Sequence, residues 1–499
     1  MKSLLIRPVA LFIAGQIRRA AGNPLAAQDK IFQQLLQTGS RTAFGKEHGF
    51  DKIRSYEDFK KKVPIRDYEG LKPYIERIKK GENDVLWKGK PLFFAKTSGT
   101  TSGVKYIPIS RESVPNHVNT ARNALFNYAV ETGNYRFFDG KLIFLSGSPE
   151  LDEVAGIPTG RLSGIVNHWI PAWLKKNQVP SYATNCIEEW EEKLDRIVDE
   201  TLGADMRLIS GIPPWVQMYY ERLLERTGKK TVGELFPNFS VFVYGGVNFE
   251  PYRDKLEELV GRKIASVETY PASEGFIAFQ DSQREKGLLL NVNSGIFFEF
   301  IPAEEIFDEN PTRLRLHEVE TGVNYAVIIN NNAGLWGYDL GDTVEFVSTK
   351  PYRILVTGRV KHFISAFGEH VIGKEVEAAL LEVVHASPGV KITEFTVAPQ
   401  VNPMEGGLPY HEWFIEFDAP PADLQDFAAK VNQAMMHQNI YYQDLIAGKI
   451  LRPLVIRALS VGAFREYMKS EGKLGGQNKV PRLSNDRKIA EKLYPTAPI

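Results

Sequence analysis

With 499 residues the chain exceeds one ordinary hydrophobic core, so a large domain with a smaller companion is expected. Lys plus Arg and Asp plus Glu balance at 61 each, which excludes the basic surplus of a nucleic-acid binder. The single cysteine, Cys186, excludes an internal disulfide and a multi-cysteine metal site, and the cytoplasm is the expected compartment.

The chain opens with Lys2, Leu4, Leu5 and Ile6, then an apolar run from Val9 to Ala14, the outline of a signal peptide. Arg7 and Pro8 interrupt it, and Arg18-Arg19 stand where a cleavage site needs small residues. This segment therefore reads as a helix lying on the main domain, with secretion or membrane attachment as the alternative. No stretch approaches the roughly 20 apolar residues of a spanning helix, and no membrane partner is expected. Next, Ile31, Phe32, Leu35 and Leu36 share one face of a helix that Gly39 closes. Apolar runs of strand length occur at Leu92-Phe93-Phe94, Ile143-Phe144-Leu145, Val241 to Tyr244 and Val327-Ile328-Ile329, separated by amphipathic stretches. Without clean alternation these runs predict sheets covered by helices on both faces, an α/β architecture. After residue 358 the texture changes. A strand at Ile354 to Val356 precedes a helix around Glu375 to Leu381 and an alternating strand at His411 to Phe417. A helix from Asp423 and a strand at Leu454 to Ile456 complete the pattern. The expected domains are 1–357, large, and 358–499, a small, mobile α+β domain.

Four segments and one glycine pair carry chemistry. Thr97-Ser98-Gly99-Thr100-Thr101-Ser102-Gly103-Val104-Lys105 lets backbone N–H groups and hydroxyls approach a polyphosphate, with a lysine adding charge. It is not a Walker loop, because Tyr106-Ile107-Pro108 comes next and predicts a strand rather than a helix. The plain alternative is a hairpin turn. Gly245-Gly246, after the Val241 strand, would let backbone lie flat against a base, or simply turn the chain. In Glu268-Thr269-Tyr270-Pro271-Ala272-Ser273-Glu274-Gly275 the ring suits a purine, the hydroxyl a phosphate and the carboxylate Mg²⁺; a strand-end turn is the alternative. Gly334 to Asp342 ends in a Gly-Asp pair whose carboxylate can accept both hydroxyls of a ribose, or is merely an Asx-type hairpin. Gly475-Gly476-Gln477-Asn478-Lys479-Val480-Pro481-Arg482 is a flexible arm presenting a lysine, or a basic surface loop.

In this order the segments resemble the adenylate-forming superfamily, and within it the acyl acid amido synthetases first known from plant auxin-responsive genes. The resemblance runs through Phe94 to Lys105, Phe236 to Tyr252, Tyr270 to Pro302, Val319 to Phe346, Arg359 to Leu380 and Gly475 to Arg482. It implies that Ser98, Gly99, Thr100, Thr101, Ser102, Gly103 and Lys105 cradle the phosphates of ATP. Tyr270 would border the adenine, Ser273 the α-phosphate, and Asp342 the ribose with Arg359 assisting. Glu274 would hold Mg²⁺ and Lys479 would neutralise charge as a carboxylate attacks. Gly358 to Phe363 would be a hinge. The implied activity joins a small carboxylic acid to an amine, with an amino acid as the expected amine partner, through an acyl-adenylate. The segment from 110 to 235 is expected to line the acid pocket, although Trp169, Trp173 and Trp215 there suit a core equally well. Three details depart from the family pattern: Gly337 and Asp339 replace an arginine-bearing turn, Tyr-Pro-Ala-Ser-Glu replaces Tyr-Gly-Ser-Ser-Glu, and the Gly358 to His362 hinge looks like the wider superfamily. The alternatives are a coenzyme A ligase with the same first half-reaction and a non-catalytic nucleotide sensor. Glu274 and Lys479 argue against the sensor.

Overall fold

The structure is a computed structural model that describes residues 2–98, 104–170, 172–187, 189–246, 249–360, 363–364, 371–401, 403, 408–447, 450–474, 479–484 and 486–494. Its Cα packing separates two compact units, Met1–Gly246 with Leu259–Leu355, and Val247–Glu258 with Val356–Ile499. A segment from the middle of the expected large domain thus packs with the second unit.

The first unit is built on a mixed twelve-stranded sheet. At one end Gln178–Val179, Lys141–Phe144, Met206–Ser210, Val241–Gly245 and Ala265–Ala272 lie side by side, all parallel. Helices Trp190–Thr201, Pro213–Thr227 and Glu250–Val260 intervene in the sequence, as parallel neighbours require. At Ala265–Ala272 the direction changes, because this strand pairs antiparallel with Gly275–Phe279 through a two-residue turn. Antiparallel pairing continues through Leu288–Leu290 to Tyr352–Arg359, and among Ile296–Pro302, Asn324–Asn331 and Tyr338–Thr349. Both faces are covered, as expected. Phe276 and Ile277, successive on one strand, enter different apolar clusters, one shared with helices Lys2–Gly22 and Val114–Thr132, the other with Pro24–Gly39. The first residues do form a helix on this unit, and among the described residues no helix is long and apolar enough to cross a membrane.

A smaller sheet holds Phe93–Ser98 antiparallel to Val104–Ile109. Val104–Ile109 is an edge strand, the one place in a sheet where Pro108 costs no ladder bond. The two-strand reading of the Thr97–Lys105 segment therefore holds.

The second unit has its own core around Val376, Leu380, Phe395, Trp413, Ile415, Phe427 and Val431. Its sheet orders Lys391–Gln400, Tyr410–Ala419 and Val455–Leu459, with helices Gly373–His385 and Leu424–Gln438. The expected elements are present, yet the alternating strand has no solvent face. His411, Glu412 and Glu416 are buried. Glu412 pairs with Arg457 and Arg487 at 2.7 Å each, and Glu416 accepts the N–H groups of Gly462 and Phe464 at 2.7 and 3.1 Å. Polar residues in an alternating strand face inward when such donors satisfy them.

Candidate active site

The carboxyl ends of parallel strands, where strand direction changes, are where open α/β sheets bind ligands. Here that edge carries three of the segments singled out by sequence. Gly245 ends its strand beside Thr269, and a Cβ there would stand 2.4 Å from the Thr269 carbonyl oxygen, so only glycine fits. Gly246 is next, with φ of +77°, a left-handed conformation that glycine adopts freely. Thr269 closes the gap by donating its hydroxyl to the Tyr244 carbonyl at 2.8 Å.

Ser273 and Glu274 are the two residues at the tip of the next hairpin, between Ala272 and Gly275. Three side chains fix that tip. Asn116, buried on helix Val114–Thr132, accepts the Phe276 N–H at 2.6 Å and donates to the Phe276 carbonyl at 3.2 Å. Asn331 donates to the Glu274 carbonyl at 2.8 Å while its own oxygen accepts the N–H groups of Ala333 and Leu335, both at 3.0 Å. Tyr338 donates its hydroxyl to Glu274 Oε1 at 3.2 Å. Burial, and then the Glu274 carboxylate, raise the Tyr338 phenol well above its ordinary pKa, so it stays a donor. The Glu274 side chain is half-buried.

Tyr270, one turn of the ladder earlier, is buried in the core and donates its hydroxyl to Asp342 Oδ2 at 2.6 Å. The motif gave Tyr270 to the adenine through its ring; the hydroxyl contact ties it to the Asp342 carboxylate as well. Asp342 lies not in a terminal turn but within Tyr338–Thr349, where register slips between the Ala326 and Ile328 pairings. The bulge has Gly341 at φ +79°, with its N–H given to Asp339 Oδ1 at 2.8 Å, so the Asx-type turn is present too. Trp336 anchors the loop before it. Its ring is buried between Phe44 and Phe50, and its indole N–H reaches the Leu86 carbonyl at 3.0 Å. Gly39 owes its place to this ring, since a Cβ would meet Trp336 at 2.7 Å. A buried chain of contacts backs the loop from below. Arg313 pairs with Glu299 at 2.7 Å, Glu299 accepts from Asn330 at 2.7 Å, and Asn330 accepts the Gly337 N–H at 2.7 Å.

Ser98 is the last residue of its strand and pairs with Val104, while Gly99, Thr100, Thr101, Ser102 and Gly103 lie outside the described residues. Lys105 is on the second strand, its ammonium 5.6 Å from the Tyr68 ring centre. Of the tryptophans in the expected acid pocket, Trp215 is buried against Trp190 and Trp169 is exposed beside Phe93; the Trp173 side chain lies outside the described residues.

Arg359 and Lys479 belong to the second unit, and both are exposed. Of the expected hinge, Lys361 and His362 lie outside the described residues, as do Gly475 to Asn478 of the arm. The residues just beyond Lys479 are firmly held. The Pro481 carbonyl accepts from Thr396 at 2.7 Å, and Val397 exchanges hydrogen bonds with Arg482 and Ser484 at 2.9 Å each. The Arg482 guanidinium, 13% exposed, donates to Glu377 at 2.8 Å, to Glu394, and to Tyr252 at 2.9 Å.

Asn116, Asn331 and Tyr338 escaped the sequence reading. The Asn330-Asn331-Asn332 run directly after an apolar strand was the available signal, because such a run places side-chain amides where backbone pairing stops. Among the described residues no group of three or more His, Cys, Asp or Glu could hold a metal ion. Glu274 offers one partly exposed carboxylate, which fits Mg²⁺ held largely by substrate phosphates and water rather than by a protein cage.

This sheet and its strand-end site have the fold of an adenylate-forming ligase. The structure superposes on AtGH3.15 acyl acid amido synthetase in complex with 2,4-DB with a TM-score of 0.80, at 17% identity over 96% of this chain and 95% of that one. It also matches a 2-hydroxyisobutyryl-CoA ligase in complex with 2-HIB-AMP, at a TM-score of 0.64 and 14% identity over 95% and 92%. The chain belongs to the GH3 family: the models of its N-terminal domain match residues 13–178 and 160–264, that of its central domain 289–359 and that of its C-terminal domain 374–488. It is 24% identical to the jasmonoyl–L-amino acid synthetase GH3.5 of Oryza sativa subsp. japonica, covering 92% of each chain. It is 22% identical to the indole-3-acetic acid-amido synthetase GH3.3 of Arabidopsis thaliana, covering 93% of this chain and 90% of that one. The family resemblance read from the motifs is borne out.

Proposed function

We propose that this protein is an ATP-dependent acyl acid amido synthetase that adenylates a carboxylic acid and transfers the acyl group to an amino acid in the cytoplasm. The observation that carries the reading is the meeting of Gly245-Gly246, the Ser273-Glu274 tip and the Tyr270–Asp342 contact at one sheet edge, in a chain of this family. Carboxylates are poor acyl donors, since oxide is a bad leaving group. Attack of a carboxylate oxygen on the α-phosphorus of ATP breaks the bond to pyrophosphate and leaves an acyl-adenylate. The amine nitrogen then attacks the acyl carbon, AMP departs with the C–O bonding pair, and the nitrogen loses a proton.

The chain's part is to position and to neutralise. Gly245-Gly246 present flat backbone to the base. Asp342, aimed by Tyr270, accepts the ribose hydroxyls. Ser98 to Lys105 hold the phosphates, with Ser273 at the reacting one. Bound Mg²⁺ would offset phosphate charge, and Glu274 is the residue that would hold it. Lys479 supplies the remaining positive charge from its arm, and Arg359 assists at the ribose. Rotation about the segment from Gly358 to Phe363 then clears Lys479 and admits the amine.

The test is carboxylate-dependent turnover of ATP over a panel of acids, with the nucleotide product identified. AMP with pyrophosphate supports adenylation, and amide formation on adding amino acids but not thioester formation with coenzyme A supports the acceptor. ADP, or no acid-dependent turnover despite ATP binding, overturns the reading.

A further inference from the structure

Helix Lys2–Gly22 has two apolar faces. The inner one buries Ile6, Ala10 and Ile13 against the cluster that holds Leu125, Phe126 and Phe138. Its start is pinned: the Ser3 N–H and hydroxyl donate to Asp139 at 3.0 and 2.8 Å, and Lys2 donates to Asn177 at 2.6 Å. The outer face has no such cover. Leu4, Leu5, Val9, Leu11 and Phe12 are 72, 78, 50, 50 and 64% exposed. At 100° per residue these five and Pro8 fall within a sector of about 160°, so they form one continuous stripe rather than scattered surface residues. Because the inner face is locked in the core, the outer stripe has no way to turn inward.

Charge says what covers it. Lys2, Arg7, Arg18 and Arg19 are the charged residues of the first 28, with no acid before Asp29. On the helical projection Arg7 and Arg18 border the stripe and Arg19 continues it beyond Phe12; all three are exposed. An apolar stripe edged by cations alone is the pattern of a helix lying in a lipid headgroup layer. Two copies meeting through this face would instead crowd like charges without an acid in either helix to offset them. We propose that the outer face of helix Lys2–Gly22 docks this protein peripherally on an anionic lipid bilayer. The proposal rests on this helix and not on the ligase reading.

The test is co-sedimentation of the full chain with vesicles of phosphatidylcholine, alone or with phosphatidylglycerol, at low and high salt. The protein is expected to pellet with the anionic vesicles, and to be released by salt or by removing phosphatidylglycerol. Leu5→Glu/Phe12→Glu, at positions where solvent already reaches, should lower vesicle binding more than about tenfold while acid-dependent ATP turnover is retained. Arg18→Gln/Arg19→Gln should weaken binding on the order of thirtyfold. Wild-type protein that stays in the supernatant with both vesicle types overturns the proposal, as does binding unaffected by Leu5→Glu/Phe12→Glu. A wild-type dimer that these substitutions convert to monomer, without vesicle binding, would show the face to be an interface between copies instead.

Discussion

Asp342 receives the Tyr270 hydroxyl at 2.6 Å, so removing the carboxylate and removing only the group that aims it can be compared. A charge-assisted hydrogen bond contributes more than a neutral one, and Asp342→Ala should raise KM for ATP about tenfold or more, against roughly fivefold for Tyr270→Phe. Steady-state kinetics at saturating acid checks the order; equal effects would mean that the carboxylate does not meet the nucleotide. Lys479→Ala should lower acid-dependent AMP release by on the order of a hundredfold while ATP binding stays within a few fold, read by single turnover beside equilibrium binding. Next to Asn116 on its helix, His117 is buried and its Nδ1 has no hydrogen-bond partner among the described residues. Burial depresses its pKa to about 4. Between an unfolded value of about 6.5 and that value, the unfolded chain binds a proton that the folded one excludes, so stability falls as pH falls through this window and is unaffected above it. Urea unfolding should show wild type losing about 2 kcal/mol more than His117→Gln on going from pH 7 to pH 5. An equal loss in both proteins would place the titration elsewhere.

Elements, rather than single residues, decide whether the arm bearing Lys479 is presented in one place. Pro481 to Ser484 is stitched to strand Lys391–Gln400, and Arg482 packs against Glu377, Glu394 and Tyr252. Arg482→Ala strands two carboxylates and should destabilise the second unit by about 3–5 kcal/mol. Arg482→Lys, which keeps the charge but not the planar fork, should restore much of that stability and less of the adenylation rate. Chemical denaturation followed beside AMP release separates the two; full recovery of rate in the lysine variant would leave the arm's anchoring without a role. Local signals made the elements themselves legible. Tyr106-Ile107-Pro108 excluded a helix after the Ser/Thr/Gly-rich segment, and the Val241 and Val327 runs marked strands. The Ser273-Glu274 tip was visible as a motif but not as a hairpin, because nothing local says that Asn116 and Asn331, distant in sequence, will hold it. The same limit hid the inward turn of His411, Glu412 and Glu416, because the partners of Glu412, Arg457 and Arg487, lie tens of residues away. Periodicity reports which faces differ, not what will cover each face.

At the scale of the molecule, each of the two units has apolar clusters of its own. Each has buried aromatics enough to unfold cooperatively by itself, so guanidinium denaturation should proceed in two steps, the first coinciding with loss of the Trp413 environment. Circular dichroism and tryptophan fluorescence that trace one coincident transition would show the cores to be coupled.

The chain passes from one unit to the other after Gly246, returns after Glu258 and leaves again after Leu355. Within the second unit Tyr252 meets Glu394 at 2.7 Å, Lys255 meets Asp418 at 2.9 Å and Glu258 meets Lys391 at 2.5 Å. A chimaera that takes its small domain from a relative, joined at a single junction near residue 358, would therefore inherit half of each of these pairs. The exchange has to carry residues 247–258 as well, because the fold's second unit is written in two separate stretches of the chain.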